Sequence, residues 1–211
     1  MLSEEQVIAS DQLDETESVS PVESSAEVNA SEAPAGKELI LKKLLAAYEA
    51  WFNITKDYDY AGRHFEGYAE FHERGAQYIA TKKAEIWSVN SYEYLFFKLT
   101  NHVSAADIES FVEFMTTEVI KKVQPEKDHM SSYLSLVLIA DSADEDVEKV
   151  VAKTKFRKNF MLGLRGWADL RLCVIDLQAQ KILSNAAGKH LKPTLEANAG
   201  FPDGKKKRRR R

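Results

Sequence analysis

Acidic and histidine side chains recur at short spacing in the first half of the chain, where they could hold a divalent metal ion. The candidate ligands are Asp57, Asp59, His64 and Glu66. Carboxylate and imidazole groups bind Mg²⁺, Mn²⁺ or Zn²⁺, and side chains two positions apart on a strand lie about 6–7 Å from each other. A metal site is one interpretation. The other is the wet face of an antiparallel sheet, which alternates polar and apolar residues without any function.

A second enzymatic interpretation is a degenerate restriction-endonuclease-like core, in which an acid and a Glu-x-Lys on the next strand hold the metal. Glu70 would be the acid and Lys83 the lysine, with Glu85 beside it. However, Thr81 stands two positions before Lys83, so one ligand of that pattern is missing. A shared topology does not by itself carry a function, and a divalent-metal-dependent hydrolase or nuclease therefore stays the alternative.

Aromatic residues on the same strands favour a binding surface. Tyr68, Trp87, Tyr94 and Phe96 fall on the polar side of the predicted sheet, and exposed aromatic groups mark contact surfaces. They would stack on bases, grip a peptide, pack under later strands, or contact a second copy of the chain in a homodimer.

Another candidate surface lies near a glycine-flanked turn, where Arg165 and Trp167 are followed by Asp169 and Arg171. A turn with a packing tryptophan is the simpler interpretation. Cys173, the one cysteine, lies in an apolar run, which is typical of a core residue in a reducing compartment. We therefore expect a cytoplasmic protein without a cofactor, a divalent metal being the alternative.

The elements that would position these residues follow from hydrophobic periodicity. Residues 54–98 predict a four-stranded antiparallel meander with turns at 61–62, 74–75 and 90–91, because that register puts one apolar face in common. It pairs Tyr58 with Phe65, and it places Glu66 opposite Lys83 and His64 opposite Glu85.

The remaining segments predict helices and further strands. A helix is expected over 38–51, a second after a capping box at Ser104 and Asp107, and a third after Ser142. Strands are expected at 132–140, 160–164, 168–177 and 181–184. The fold class is therefore α+β, a four-stranded antiparallel meander extended to a mixed sheet and packed by about three helices.

Five segments carry a family resemblance: residues 62–72, 82–84, 93–97, 164–167 and 174–177. On these the chain from about 39 to 192 resembles a poorly characterised bacterial family of small single-domain α+β proteins, a domain of unknown function. The resemblance implies a fold and a bacterial origin but no mechanism.

The net charge of −4 divides into three unlike parts. Residues 1–36 carry nine acids and no base, 37–200 are nearly neutral, and 201–211 hold seven bases and one acid. We expect a single domain over 37–200 between a disordered acidic tail and a disordered basic tail. The chain has no apolar run of about 18 residues that would span a membrane.

The basic tail suggests a binding or accessory protein that contacts nucleic acid or another polyanion. Its bases are Lys205, Lys206, Lys207, Arg208, Arg209, Arg210 and Arg211. An interaction with solvent alone, or with the acidic tail, is the alternative.

Deleting residues 205–211 tests this prediction. We expect the full chain to bind duplex and single-stranded nucleic acid with an affinity that falls steeply with salt, because counterions are released from the phosphates. The deletion should weaken that binding and flatten its salt slope in a fluorescence anisotropy titration. Equal affinities with and without the tail, or no salt dependence, would contradict it.

Overall fold

The computed structural model describes residues 36–78 and 85–201, without the side chains of 73–78 and 85–89. Within these ranges there are four α-helices: α1 Lys37–Tyr48, α2 Ala105–Thr117, α3 Val147–Lys153 and α4 Lys192–Ala199. Short 3-10 turns occupy Val119–Lys122, Met161–Gly163 and Ala187–His190. No helix of the described part has both the length and the apolar character needed to cross a membrane.

Seven strands form one mixed sheet in the described residues. They are β1 Asn53–Tyr60, β2 Arg63–Tyr78, β3 Glu85–Val103, β4 His129–Ala143, β5 Arg157–Asn159, β6 Trp167–Asp176 and β7 Lys181–Ser184. The strand order is β1-β2-β3-β4-β6-β5, and β7 also pairs with β6. The first three strands are antiparallel, β3, β4 and β6 run parallel, and β5 and β7 are antiparallel to β6. The α+β class and the mixed sheet are confirmed.

The first hairpin has the predicted register, with Tyr58 opposite Phe65 and Asp59 opposite His64. Its turn residues Ala61 and Gly62 both have positive φ, of 47° and 79°. Two positive φ angles match the right-handed twist of the flanking strands, which explains the tight connection here.

The other two predicted turns are wrong, because β2 and β3 continue straight through them. Arg74 is paired with Asn90 and Gly75 with Val89, so both turn dipeptides lie inside long strands. The strands therefore pair Gly67 with Phe97 and not with a residue near 82. Within the described residues the meander therefore has three strands in place of four.

Later elements follow the sequence pattern with shifted boundaries. Ser104 and Asp107 form the predicted capping box at the start of α2. The helix expected after Ser142 begins only at Val147, since β4 extends to Ala143. The strand expected at 160–164 lies earlier, at Arg157–Asn159, and α4 was not predicted.

The sheet is covered on both faces. We call them the α2 face, where α2 and α3 pack on Leu134, Leu136 and Leu172, and the α1 face, where α1 and α4 pack on Val137 and Ile175. Strand β4 is buried on both sides from Leu134 to Ala140. A run of this kind is typical of a central strand with parallel neighbours.

Glycine at position 166 is required by space as well as by backbone angle. A Cβ there would lie 2.1 Å from the carbonyl oxygen of Met130, and φ is +69°. Gly62 offers a matched control, because its φ is +79° but no atom lies within 4 Å of a Cβ.

We expect Gly62→Ala to lower the free energy of unfolding by about 1–2 kcal/mol, the cost of a left-handed backbone. Gly166→Ala adds a backbone clash and should cost about 3 kcal/mol or more. Urea denaturation measures both, and equal losses for the two variants would contradict the packing assigned to Gly166.

Candidate functional site

Among the strands that the structure describes, the outer edge of β6 is paired at its two ends only, by β5 at the start and by β7 at the finish. A cleft of about 570 Å³ opens between them at this edge. Eight of the residues that line it have a charged or ring-bearing side chain, namely Tyr133, Lys155, Phe156, Arg157, Trp167, Asp169, Arg171 and His190. A ligand pocket is typically about 300–1,000 Å³, so the cleft has the size for a small molecule.

Strand alternation places the floor of the cleft. Trp167, Asp169 and Arg171 are two positions apart on β6, so their side chains share a sheet face. Tyr133 on β4 is directly paired with Asp169. This is the part of the α1 face that the two helices leave uncovered.

In the gap between β5 and β7, the side chain of Asn185 bonds to the backbone of β6. The Asn185 amide nitrogen donates to the Leu170 carbonyl at 2.9 Å, and its Oδ1 accepts from the backbone N–H groups of Leu172, at 3.1 Å, and Gly188, at 2.7 Å. Asn185 is 1% exposed. It takes the place of a strand partner, so the backbone of β6 is satisfied where no strand lies.

Arg157 reaches across from β5 to the cleft. Its Nε and Nη2 donate to the two carboxylate oxygens of Asp169 at 2.7 and 2.5 Å. These hydrogen bonds raise the pKa of the Arg157 guanidinium. The guanidinium also lies 5.4 Å from the centre of the Trp167 ring, so a planar cation covers the tryptophan at the mouth of the cleft.

Arg171 is more deeply placed. Its Nη1 donates to Glu93 at 2.9 Å, and both side chains are nearly buried, at 12% and 11% exposure. Ser135 donates to the other oxygen of Glu93 at 2.6 Å, and the Arg171 guanidinium carbon lies 3.5 Å from the centre of the Tyr133 ring. The Nε of Arg171 is buried and has no hydrogen-bond partner among the described residues.

The pKa values of two buried groups on the α1 face, the Tyr48 hydroxyl and the Cys173 thiol, are raised. Burial, followed by the charge of Glu93, raises the pKa of the Tyr48 hydroxyl, and burial raises the pKa of the Cys173 thiol to about 12. The thiol donates to the Gly188 carbonyl oxygen at 3.4 Å. Cys173 is therefore a core residue and not a nucleophile at neutral pH.

Of the second sequence-predicted surface, three residues meet in the cleft and one does not. Trp167, Asp169 and Arg171 line it, whereas the Arg165 Nη1 donates to the Pro125 carbonyl oxygen at 3.1 Å on the loop before β6. The other lining residues were missed. Lys155 and Arg157 are two positions apart in the sequence, a spacing that could have identified them. Tyr133 and Glu93 come close to the cleft only because distant strands pair in parallel.

The sequence predicted that Tyr68, Tyr94 and Phe96 form an aromatic binding surface, and this prediction is corrected by their burial. Phe96 is fully buried, and Tyr68 and Tyr94 are 3% and 6% exposed, all within the core on the α2 face. The tyrosines pack around a lysine, because the Lys122 ammonium lies 5.0 Å from the centre of the Tyr68 ring and 5.7 Å from that of Tyr94. The side chain of Trp87 lies outside what the structure describes.

The four candidate metal ligands do not converge. His64 is 3.0 Å from Asp59 and 4.0 Å from Asp57 on the exposed hairpin. Glu66 instead accepts from Lys98 and from the Leu99 backbone N–H, each at 2.8 Å, and these bonds lower its pKa against the effect of burial. Within 36–78 and 85–201, no three His, Cys, Asp or Glu side chains are grouped to hold a metal ion.

The candidate nuclease residues are also apart. Glu70 accepts from the Tyr68 hydroxyl at 2.8 Å and is paired with Tyr94, whereas Glu85 is paired with Tyr78. The two sites are eight positions apart along strand β2, which is about 27 Å. The pairing of His64 with Glu85 is therefore wrong, and Lys83, like 205–211, lies outside the described residues.

Comparison of the sequence with known protein families gives a match. A model described as a domain of unknown function (DUF8052) matches residues 36–197. The chain belongs to this family. The match confirms the family-level resemblance drawn from the sequence and covers both the cleft and the sheet. No curated protein matches the chain.

We expect loss of one partner of the Arg171–Glu93 pair to lower the free energy of unfolding far more than replacement of both partners. Arg171→Met leaves a buried carboxylate with one hydrogen bond and should cost about 3–5 kcal/mol of unfolding free energy. Adding Glu93→Gln removes that charge and keeps an acceptor for Ser135, so the double variant should recover much of the loss. Urea denaturation of the single and double variants checks this; a double variant less stable than Arg171→Met would contradict the pairing.

Proposed function

We propose that this domain is a binding protein and that its cleft beside β6 takes a small planar anion. The observation that carries the proposal is the convergence of three bases and two partly exposed aromatic rings on one cleft. The bases are Lys155, Arg157 and Arg171, and the rings are Tyr133 and Trp167.

The charge balance of the cleft supports an anion. Among the described residues Asp169 is the one acid that lines it, and Glu93 lies behind Arg171. Three bases therefore face two acids, in a folded part of the chain that is otherwise nearly neutral. Guanidinium groups bind carboxylates and phosphates through paired hydrogen bonds.

The rings support a flat group beside the charge. Trp167 is partly exposed under the Arg157 guanidinium, and Tyr133 is partly exposed under that of Arg171. The two guanidinium groups thus already lie against aromatic rings, and a planar ligand would contact the parts of those rings that stay exposed. Binding needs only this charge and shape, whereas a hydrolase needs a metal group or an activated nucleophile.

The basic run at 205–211 extends the same proposal. It lies outside the described residues, and its seven bases would attract a polyanion at long range. A domain that binds a nucleotide-like anion in its cleft and a nucleic acid through its tail is one consistent accessory role.

Three probes separate charge from ring in a calorimetric titration: adenosine monophosphate, inorganic phosphate and adenosine. We expect the nucleotide to bind most tightly, the other two weakly, and the nucleotide affinity to fall with salt. Trp167→Leu and Lys155→Gln should each weaken nucleotide binding by about tenfold, the equivalent of one stacking or charged contact.

Lys153→Gln is the matched control, because Lys153 is exposed at the end of α3 and does not line the cleft. It should bind like the unaltered chain. Nucleotide affinity unchanged by Trp167→Leu and Lys155→Gln, or no binding of any probe at millimolar concentration, would overturn the proposal.

A further inference from the structure

The loop that joins β5 to β6 exposes large apolar side chains at its tip. Met161 is 60% exposed, Leu162 is fully exposed and Leu164 is 82% exposed. We call these three residues the apolar tip. Three exposed apolar side chains within four residues differ from the scattered single ones of an ordinary protein surface, and such a concentration marks a contact surface.

The backbone of this loop has unfavourable φ angles but is held by internal hydrogen bonds. Met161 and Leu162 have φ of 46° and 56°, in the left-handed region, which costs a residue with a side chain about 1–2 kcal/mol. Hydrogen bonds hold the loop nevertheless, from Arg165 N to the Phe160 carbonyl at 3.1 Å and from Leu164 N to that of Met161 at 3.0 Å. Strain of this kind persists where a structure fixes it, often at a functional contact. The loop therefore holds one methionine and two leucines out in solvent.

Basic residues surround the apolar tip. Residues 149–168 contain six bases and no acid, although the folded part of the chain is nearly neutral. Lys155, Arg157, Lys158 and Arg165 are exposed on or next to the hairpin that carries the tip. The Lys158 ammonium lies 5.6 Å from the centre of the Phe160 ring, at the base of the loop.

From this arrangement we infer that the apolar tip inserts into an anionic lipid surface. An apolar element flanked by Lys and Arg matches the two layers of such a surface, the hydrocarbon boundary and the negatively charged headgroups. The shape agrees, because a protrusion without a groove enters a lipid interface directly. The inference concerns peripheral binding, and it does not rest on the cleft proposal.

The hairpin gives the surface a fixed relation to the cleft. Trp167 directly follows the loop as the first residue of β6, Arg157 lies only three positions before the loop as the first residue of β5, and both line the cleft. A domain seated on its apolar tip would therefore hold the cleft near the headgroup layer. Tryptophan at that level is typical of membrane interfaces.

The test is vesicle co-sedimentation of the full chain with two kinds of vesicle. One is phosphatidylcholine alone, and the other includes about 30% phosphatidylglycerol, an anionic lipid. We expect binding to the anionic vesicles and much weaker binding to the neutral ones. Leu162→Asn should weaken binding about tenfold or more, because burial of a leucine side chain corresponds to one or two orders of magnitude in affinity.

The variant carries its own folding control. Asparagine tolerates a left-handed backbone better than leucine does, so the melting temperature of Leu162→Asn should be unchanged or higher. Leu39→Asn is the matched control, since Leu39 is an exposed leucine on α1, and it should bind like the unaltered chain. Each comparison is made with and without residues 202–211, so that the basic tail is counted separately.

A second readout locates the insertion. Leu162→Cys labelled with a polarity-sensitive fluorophore should shift to the blue on anionic vesicles, whereas Glu145→Cys, beyond the opposite end of β4, should not. The native Cys173 is buried and stays unlabelled. No vesicle binding, equal binding of Leu162→Asn and the unaltered chain, or a tip that instead drives dimerisation in light scattering would overturn the inference.

Discussion

The burial of strand β4 on both faces is the constraint on which the rest of this structure depends. From Leu134 to Ala140 every residue is enclosed, so the sheet needs a helical layer on each side. Helices α2 and α3 supply one layer, and α1 and α4 supply the other. The parallel strands β3 and β6 on either side of β4 complete its hydrogen bonds and carry Glu93, Asp169 and Arg171.

The cleft exists because that coverage is incomplete. On the α1 face the helices pack on Val137 and Cys173, while two residues earlier on the same strands stand Ser135 and Arg171. There the apolar core gives way to an ion pair with Glu93. A buried ion pair contributes little net stability, but it fixes the position of a guanidinium group beside the open cleft. Shape and charge of the site thus follow from where the helices end.

Much of the local structure could be predicted from the sequence. The Ala61-Gly62 turn, the capping box at Ser104 and strand β7 depend on neighbouring residues, and each has the expected form. The prediction of a turn at Arg74-Gly75 was wrong, because the alternation of polar and apolar residues shows which side chains share a face but not where a strand ends. Trp167 and Arg171 were identified as one surface for the same local reason. Tyr133 and Glu93 were not, since parallel pairing brings them there from distant segments of the chain.

The claim at the centre of this account is that the cleft beside β6 is the ligand site. The most direct test is a nuclear magnetic resonance titration of the three tryptophan indole N–H signals with adenosine monophosphate, with assignment from Trp167→Phe. The account predicts that the Trp167 signal moves in proportion to occupancy, while that of Trp51, which is 77% exposed and does not line the cleft, stays in place. A shift at Trp51 with Trp167 unmoved, or no shift at any indole, would contradict it.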